Sequence, residues 1–281
     1  MAAIVATAPP LAPASFATLR LRILSALVLA PLALAAAWLG PPLLSLVVAA
    51  VAAGMAWEWS RLCHGEGHPG HALLTIAAVL VGVVAATIDR PLFGIAGVLL
   101  AALLVALAGS GRIAARLLAA AGLPWIGIPC IALLWLARDP VSGRATVLWI
   151  LAVVWATDIG AFAAGRSLGG PRLAPRISPH KTWSGLAGGV LCAAVVGAAS
   201  ALLFDGVGAS RLALASGLLA IVEQAGDLGE SLVKRHFGVK DASSLIPGHG
   251  GLLDRLDGML AVVPAVALFS LFEGGGVLTW R

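Results

Sequence analysis

The chain predicts an all-α fold, a polytopic transmembrane helical bundle of about nine spans. Three observations carry that expectation. Of its 281 residues, 60% are hydrophobic and only 11% charged, whereas soluble domains are nearer half apolar and a quarter charged. The mean hydropathy is +1.01. The charges gather between apolar stretches of about 20 residues, the length a helix needs to cross the hydrocarbon layer. Ala, Leu, Val and Gly dominate and Tyr is absent, which suits close helix packing in lipid. Cys63, Cys130 and Cys192 lie far apart with no CxxC spacing, so neither a disulfide framework nor a zinc site is expected. In a soluble chain the net charge of +5 would suggest nucleic acid. Here Lys and Arg set topology and meet anionic lipid heads, and no nucleic-acid partner is expected.

Residues 1–19 are uncharged and rich in Ala and Pro, and read as a flexible tail. Arg20 and Arg22 then precede an apolar run over 23–39 that resembles a signal peptide. Further spans follow at once, so it is read as an uncleaved first helix. Those spans are predicted at 42–60, 72–88, 91–109, 117–137, 145–165, 185–204, 211–233 and 258–273. Asp89-Arg90-Pro91 predicts a tight hairpin between the third and fourth. Pro124 and Pro129 predict a kink or break in the fifth. No internal repeat or long linker is evident. The chain divides into an N-terminal membrane bundle over 20–140 and a second membrane region over 141–281. The latter carries the two largest polar loops, 166–184 and 234–257. With the N-terminus cytoplasmic, 13 of the 18 Lys and Arg fall in inner segments. This bias supports nine spans and puts both polar loops on the cytoplasmic side.

Four acids within predicted spans stand out: Asp158, Glu223, Asp227 and Glu230. Charge at that depth is costly, so such residues are functional candidates. Asp158 and Asp227 each lie about seven residues from the inner end of their span, roughly 10 Å below the surface. Two carboxylates at matched depth could meet around a metal or a phosphate. Asp227, Ser231 and Lys234 are spaced i, i+4, i+7 and share one helix face, which Glu223 and Glu230 extend. The alternative is that Asp227 pairs with Lys234 or Arg166 and only locks two helices.

The stretch Ser231 to Asp257 gathers three Asp, two Lys, two Arg and two His. Within it, Pro247-Gly248-His249-Gly250-Gly251 predicts a turn that can bring backbone N–H groups to an anion. Asp254-Arg255-Leu256-Asp257 opens the last span, where the helix dipole favours carboxylates. Such oxygen ligands suit Mg²⁺, which takes one or two carboxylates plus substrate phosphates. His249 is read as a phosphate contact rather than a metal ligand. The 166–184 loop holds Arg166, Arg172, Arg176 and Lys181. Its Lys181-Thr182 pair supplies an ammonium and a hydroxyl for an oxyanion, without a P-loop pattern. The plainer reading of this loop is a solvated, positive-inside segment. Together these features imply phosphate chemistry at a membrane surface.

The order Ser231-x-Val233-Lys234-Arg235-x₄-Lys240-Asp241-x-Ser243-x₂-Ile246-Pro247-x-His249-Gly250-Gly251-Leu252-x-Asp254-Arg255-Leu256-Asp257 resembles the signature of the phosphatidate cytidylyltransferases (CDP-diacylglycerol synthases). Asp158-x-Gly160-Ala161-Phe162, Ser178-Pro179-His180-Lys181-Thr182-Trp183 and Gly226-Asp227-Leu228-x-Glu230-Ser231 extend the likeness over about 155–258. Ser184 departs from the Glu or Gln of many members and receives no catalytic role. The resemblance implies that CTP and phosphatidic acid give CDP-diacylglycerol and pyrophosphate with Mg²⁺. It also implies a homodimeric enzyme of the bacterial inner membrane with its site facing the cytoplasm. Spacing alone does not reach CTP. On this reading Asp227 and Asp254 are metal ligands, assisted by Asp257 or Asp158, and act with Lys234 and Ser231 in catalysis. Lys234, Arg235 and Lys240 clamp phosphates, with Lys181 and Thr182 from the other loop. His249, Gly250, Gly251 and Arg255 line the nucleotide phosphates. The alternatives are a cytidylyltransferase for an ether lipid, a polyprenol kinase, and a transporter with an ion path through Asp158, Glu223 and Asp227.

Overall fold

The computed structural model describes residues 16–65, 69–108, 112–203 and 207–273. Residues 1–15 of the expected tail, and Arg281 from the charge count, lie outside them. Among the described residues the chain forms nine α-helices: α1 Phe16–Leu39, α2 Leu43–His64, α3 Pro69–Thr87, α4 Pro91–Ala108, α5 Ile113–Ala137, α6 Gly143–Leu168, α7 Trp183–Ser200, α8 Ala209–His236 and α9 Leu253–Glu273. Each predicted span corresponds to one of them. Eight are long and apolar enough to cross a membrane, and Pro91–Leu107 is a shorter apolar helix. The protein is a multi-pass helical membrane protein. The first helix begins at Phe16 and takes in residues 16–19, which were expected in the tail.

The connections follow local chemistry. Prolines stand at the entry to α2, α3 and α4, where a missing N–H is no loss. Asp89 adopts a left-handed φ of 63° in the α3–α4 turn. Its carboxylate is 3.4 Å from Arg138 Nη1 in the α5–α6 connection, so these two turns share one end of the bundle. The predicted break in 117–137 does not occur. The helix runs unbroken through Pro124 and Pro129, as membrane helices can where neighbouring groups satisfy the freed carbonyls. The 166–184 loop contains a β-hairpin. Its strands are β1 Arg172–Ala174 and β2 Ser178–Thr182, paired antiparallel. Pro179 and the charged residues hid any alternating pattern there.

Two apolar cores share α5 and α9. One joins them to α2, α3 and α4, with Met55, Leu123, Ile131 and Leu253 at its centre. The other joins them to α6, α7 and α8, with Trp149, Ile150, Leu212 and Val262. Leu27, Leu92, Phe93, Ile159, Phe162, Leu191 and Phe272 are exposed, as suits helices whose outer surface meets lipid. In the second half α7 packs against both α6 and α8, and α8 against α9. At Gly258 of α9 a Cβ would stand 2.5 Å from Glu223 Cγ of α8, and at Gly226 one would stand 2.6 Å from Ala261. These glycines let two acid-bearing helices approach each other closely.

Candidate active site

The acids of α8 face the first turns of α9. Lys234, in the last turn of α8, is buried and reaches both helices. Its Nζ lies 2.7 Å from Asp254 Oδ1 and 3.1 Å from Glu230 Oε1. Asp254 is the hub. Its carboxylate also accepts from Ala242 N at 2.9 Å and from Gly251 N at 2.8 Å, tying together both ends of the 242–251 loop. Asp257 accepts from Gly258 N at 2.8 Å and lies in the field of Asp227, Glu230 and Lys234. Ser231 donates to Asp227 Oδ1 at 3.3 Å, as the i, i+4 spacing predicts. Glu230 is buried, and its Oε2 has no hydrogen-bond partner.

The β-hairpin supplies the opposite wall. Lys181, on β2, places Nζ 2.5 Å from Asp227 Oδ2 and donates to Gln224 Oε1 at 3.0 Å. Arg235 Nε donates to the Ile177 carbonyl at 3.3 Å and its Nη1 to that of Val239 at 3.0 Å. The two polar loops therefore meet. The locking partner of Asp227 is Lys181, not Lys234 or Arg166. Arg166 instead stands over the Phe162 ring. Asp158, on α6, lies in the field of Glu223, Asp227 and Lys181. The matched depth of Asp158 and Asp227 read from the sequence thus becomes proximity. Among the described residues no three His, Cys, Asp or Glu side chains are set to hold a metal ion.

Thr182 has a different place from the one expected. It is buried and caps α7, its hydroxyl accepting from Gly185 N at 3.0 Å. The 247–251 turn closes on itself. Gly248 and Gly250 have φ of 78° and 87°, which favour glycine. The His249 and Gly250 amides both donate to the Ile246 carbonyl, at 2.9 and 3.2 Å, and Gly251 N is held by Asp254. The His249, Gly250 and Gly251 amides, expected to cradle an anion, are therefore committed within the protein. Arg255 Nε donates to the His249 carbonyl at 2.8 Å. Lys240 is exposed at the start of the loop.

The first helix grips the same turn. Arg22 Nε donates to the Gly248 carbonyl at 2.9 Å, and Ser25 Oγ lies 2.6 Å from His249 Nδ1. Burial, then the Arg255 and Arg22 guanidinium groups, hold the His249 pKa below its ordinary value. A neutral ring suits hydrogen bonding to a hydroxyl.

This arrangement stands in a chain that a profile of the cytidylyltransferase family matches over residues 20–272. The chain belongs to the cytidylyltransferase family. Among relatives, a phosphatidate cytidylyltransferase of Brucella suis is 39% identical over 251 residues, 89% of this chain and 93% of the relative. That of Brucella abortus is 39% identical over 262 residues, 93% and 97% of the two chains. That of Pseudomonas aeruginosa is 34% identical over 276 residues, 92% and 99%. The likeness thus runs through the N-terminal helices and not only the signature region.

The N-terminal helices reach the site through Arg22, Ser25 and Glu58. Sequence reasoning passed over four residues that touch it: Arg22, Ser25, Glu58 and Gln224. Glu58, within predicted span 42–60, is fully buried and accepts from Ser243 Oγ at 2.5 Å, Leu252 N at 2.9 Å and Leu253 N at 2.8 Å. The rule that singled out the other intramembrane acids applied equally to Glu58.

Proposed function

We propose that this protein transfers CMP from CTP to phosphatidic acid, giving CDP-diacylglycerol and pyrophosphate for phospholipid biosynthesis. One observation carries the reading. The residues of the signature, scattered over 158–257, converge on a single cluster in which Lys181 pairs with Asp227 and Lys234 with Asp254. Relatives aligned along nearly the whole chain bear the name of that activity.

The reaction joins a phosphate oxygen of the lipid to the α-phosphorus of CTP. The bond from that phosphorus to the bridging oxygen breaks, and pyrophosphate leaves with the electron pair. The nucleophile is anionic near neutral pH, so the protein's task is to hold several negative groups together in line. Lys181 and Lys234 are suited to this because each already holds a carboxylate. Incoming phosphates can take over those ammonium groups. Arg235, Lys240 and Arg255 add cations at the loop, His249 sits beside them, and Ser231 orients a phosphate from the helix face.

The donor chemistry fits Mg²⁺. Asp227 and Asp254 are hard oxygen ligands whose lysines can turn to phosphate. Mg²⁺ usually takes one or two carboxylates and completes its shell with water and substrate phosphates, so a three-carboxylate cage is not required. Asp227 and Asp254 would hold the ion, assisted by Asp257 or Asp158. When bound, it would neutralise charge on the reacting phosphates. The enzyme acts as a homodimer in the bacterial inner membrane with the site toward the cytoplasm. The Lys and Arg bias supports that sidedness, and the dimer rests on the family resemblance.

The test is release of pyrophosphate from CTP by purified protein, with and without phosphatidic acid and Mg²⁺. Release that depends on phosphatidic acid supports the reading. Phosphorylation of a polyprenol, equal use of an ether lipid, or uptake into proteoliposomes without CTP would replace it.

A further inference from the structure

Glu58 is the most completely buried acid among the described residues, at 0% exposure. It sits on α2, yet its three hydrogen-bond donors are 185 to 195 residues away in the chain. Two are backbone amides at the entry to α9. The first amides of a helix have no partner within it, and the dipole there favours negative charge. The residue just before α9 is Leu252, whose side chain can accept nothing. Glu58 therefore caps α9 from another helix. Its third donor, Ser243, lies on the far arm of the same loop.

The approach is close. At Gly251 a Cβ would stand 2.6 Å from Glu58 Oε1. Glu58 thus holds residues 243, 252 and 253, while Asp254, the next residue, holds Ala242, Gly251 and Lys234. Both carboxylates close the loop, but of the two only Asp254 bonds Lys234 of α8.

We propose that Glu58 is a positioning residue for the transfer reaction. It seats the 242–253 loop and the first turn of α9 so that Asp254 and Lys234 stand where the reacting phosphates arrive. The inference rests on the cytidylyl-transfer reading above and adds a working role for α2. It requires a carboxylate in particular. Three donors converge, and an acceptor-only group satisfies all of them. Gln would turn its NH₂ against one of the two backbone amides.

The experiment compares wild type, Glu58→Gln and Ser243→Ala. All are purified in detergent and checked for a monodisperse peak and a thermal transition. Two readouts follow: hydrogen exchange across 237–257, and kcat and KM for CTP from pyrophosphate release. Glu58→Gln should speed exchange over 242–253 while leaving α5 and α6 unchanged. Its kcat should fall by about 10²-fold, the scale of a misplacement near 1 Å, with a smaller change in KM. Ser243→Ala removes one donor and keeps the acid, so it should show the same pattern more weakly. If Glu58→Gln does not fold, Ser243→Ala carries the test alone. Faster loop exchange with full kcat, or unchanged exchange, would overturn the inference. A wild type that releases no pyrophosphate from CTP would overturn the functional reading instead, and the exchange data would still show whether Glu58 seats the loop.

Discussion

Asp227 and Asp254 each hold a lysine, and at the residue scale their predicted roles can be separated from their structural ones. Asp227→Asn keeps a hydrogen-bonding side chain beside Lys181 and Ser231 but removes the charge. Asp254→Asn cannot accept from Ala242, Gly251 and Lys234 together. Each should lower lipid-dependent pyrophosphate release by roughly 10²-fold or more, the scale seen when a preorganised electrostatic group is removed. Fractionation should still find both variants in the membrane. Near-normal turnover in either would remove that residue from the site. His249 gives a pH signature. Its folded pKa is depressed, so below the ordinary histidine value of about 6.5 the unfolded chain binds more protons. Its contribution to stability is fully present above that value and is lost as pH falls toward the folded pKa. Wild type should therefore lose thermal stability on acidification through about pH 6.5 more steeply than His249→Gln, measured by thermal unfolding in detergent. Identical slopes would contradict the neutral-ring assignment. Asp227, Ser231 and Lys234 were legible because helical spacing is a local rule. Glu58 met the same intramembrane-acid rule, but no spacing tied it to the site, because its donors lie 185 to 195 residues away.

At the scale of elements, two features separate building from chemistry. Thr182 was expected to meet phosphate, yet it is buried and caps α7. Thr182→Ala should cost about 0.5–2 kcal/mol of stability, while Thr182→Ser keeps the cap. If the hydroxyl is only a cap, both variants should retain the KM for CTP in the folded fraction. A large rise in KM for Thr182→Ala at unchanged stability would return it to the phosphate site. The α8–α9 contact depends on Gly258, where any Cβ collides with Glu223. Gly258→Ala should cost about 1–3 kcal/mol through overpacking and should lower activity by separating Glu230 and Lys234 from Asp254. Thermal unfolding and pyrophosphate release check the two halves of that statement. The helices themselves were legible in order and number, because each is a run of apolar residues long enough to span. The hairpin over 172–182 was not, because its pairing depends on α6 and α7 bringing both arms together rather than on alternation along either strand.

At the scale of the whole molecule, the hairpin, the 237–252 loop and the start of α1 meet at one end of the bundle, through Arg235 and Ile177 and through Arg22 and Gly248. The α3–α4 and α5–α6 turns meet in a separate contact through Asp89 and Arg138. With the native cysteines replaced, single cysteines at Arg176 and Ser244 should react with a membrane-impermeant thiol reagent only in inside-out vesicles. Cysteines at Arg90 and Val141 should react only in intact, right-side-out preparations. The opposite pattern would reverse the orientation drawn from the Lys and Arg bias. The class of fold, the count and order of the helices and the stretch where charge gathers all follow from the amino-acid order. Hydropathy and helical period act along the chain, so they can be read along it. Packing settled which cation holds which acid, that Thr182 caps a helix and that the His249, Gly250 and Gly251 amides bond within the loop. It alone brought Arg22, Ser25 and Glu58 to the site. The contacts of Lys181, Arg22, Ser25 and Glu58 join residues 43 to 226 positions apart. No local pattern encodes that choice, because a buried polar group takes whatever partner the packed helices bring to it.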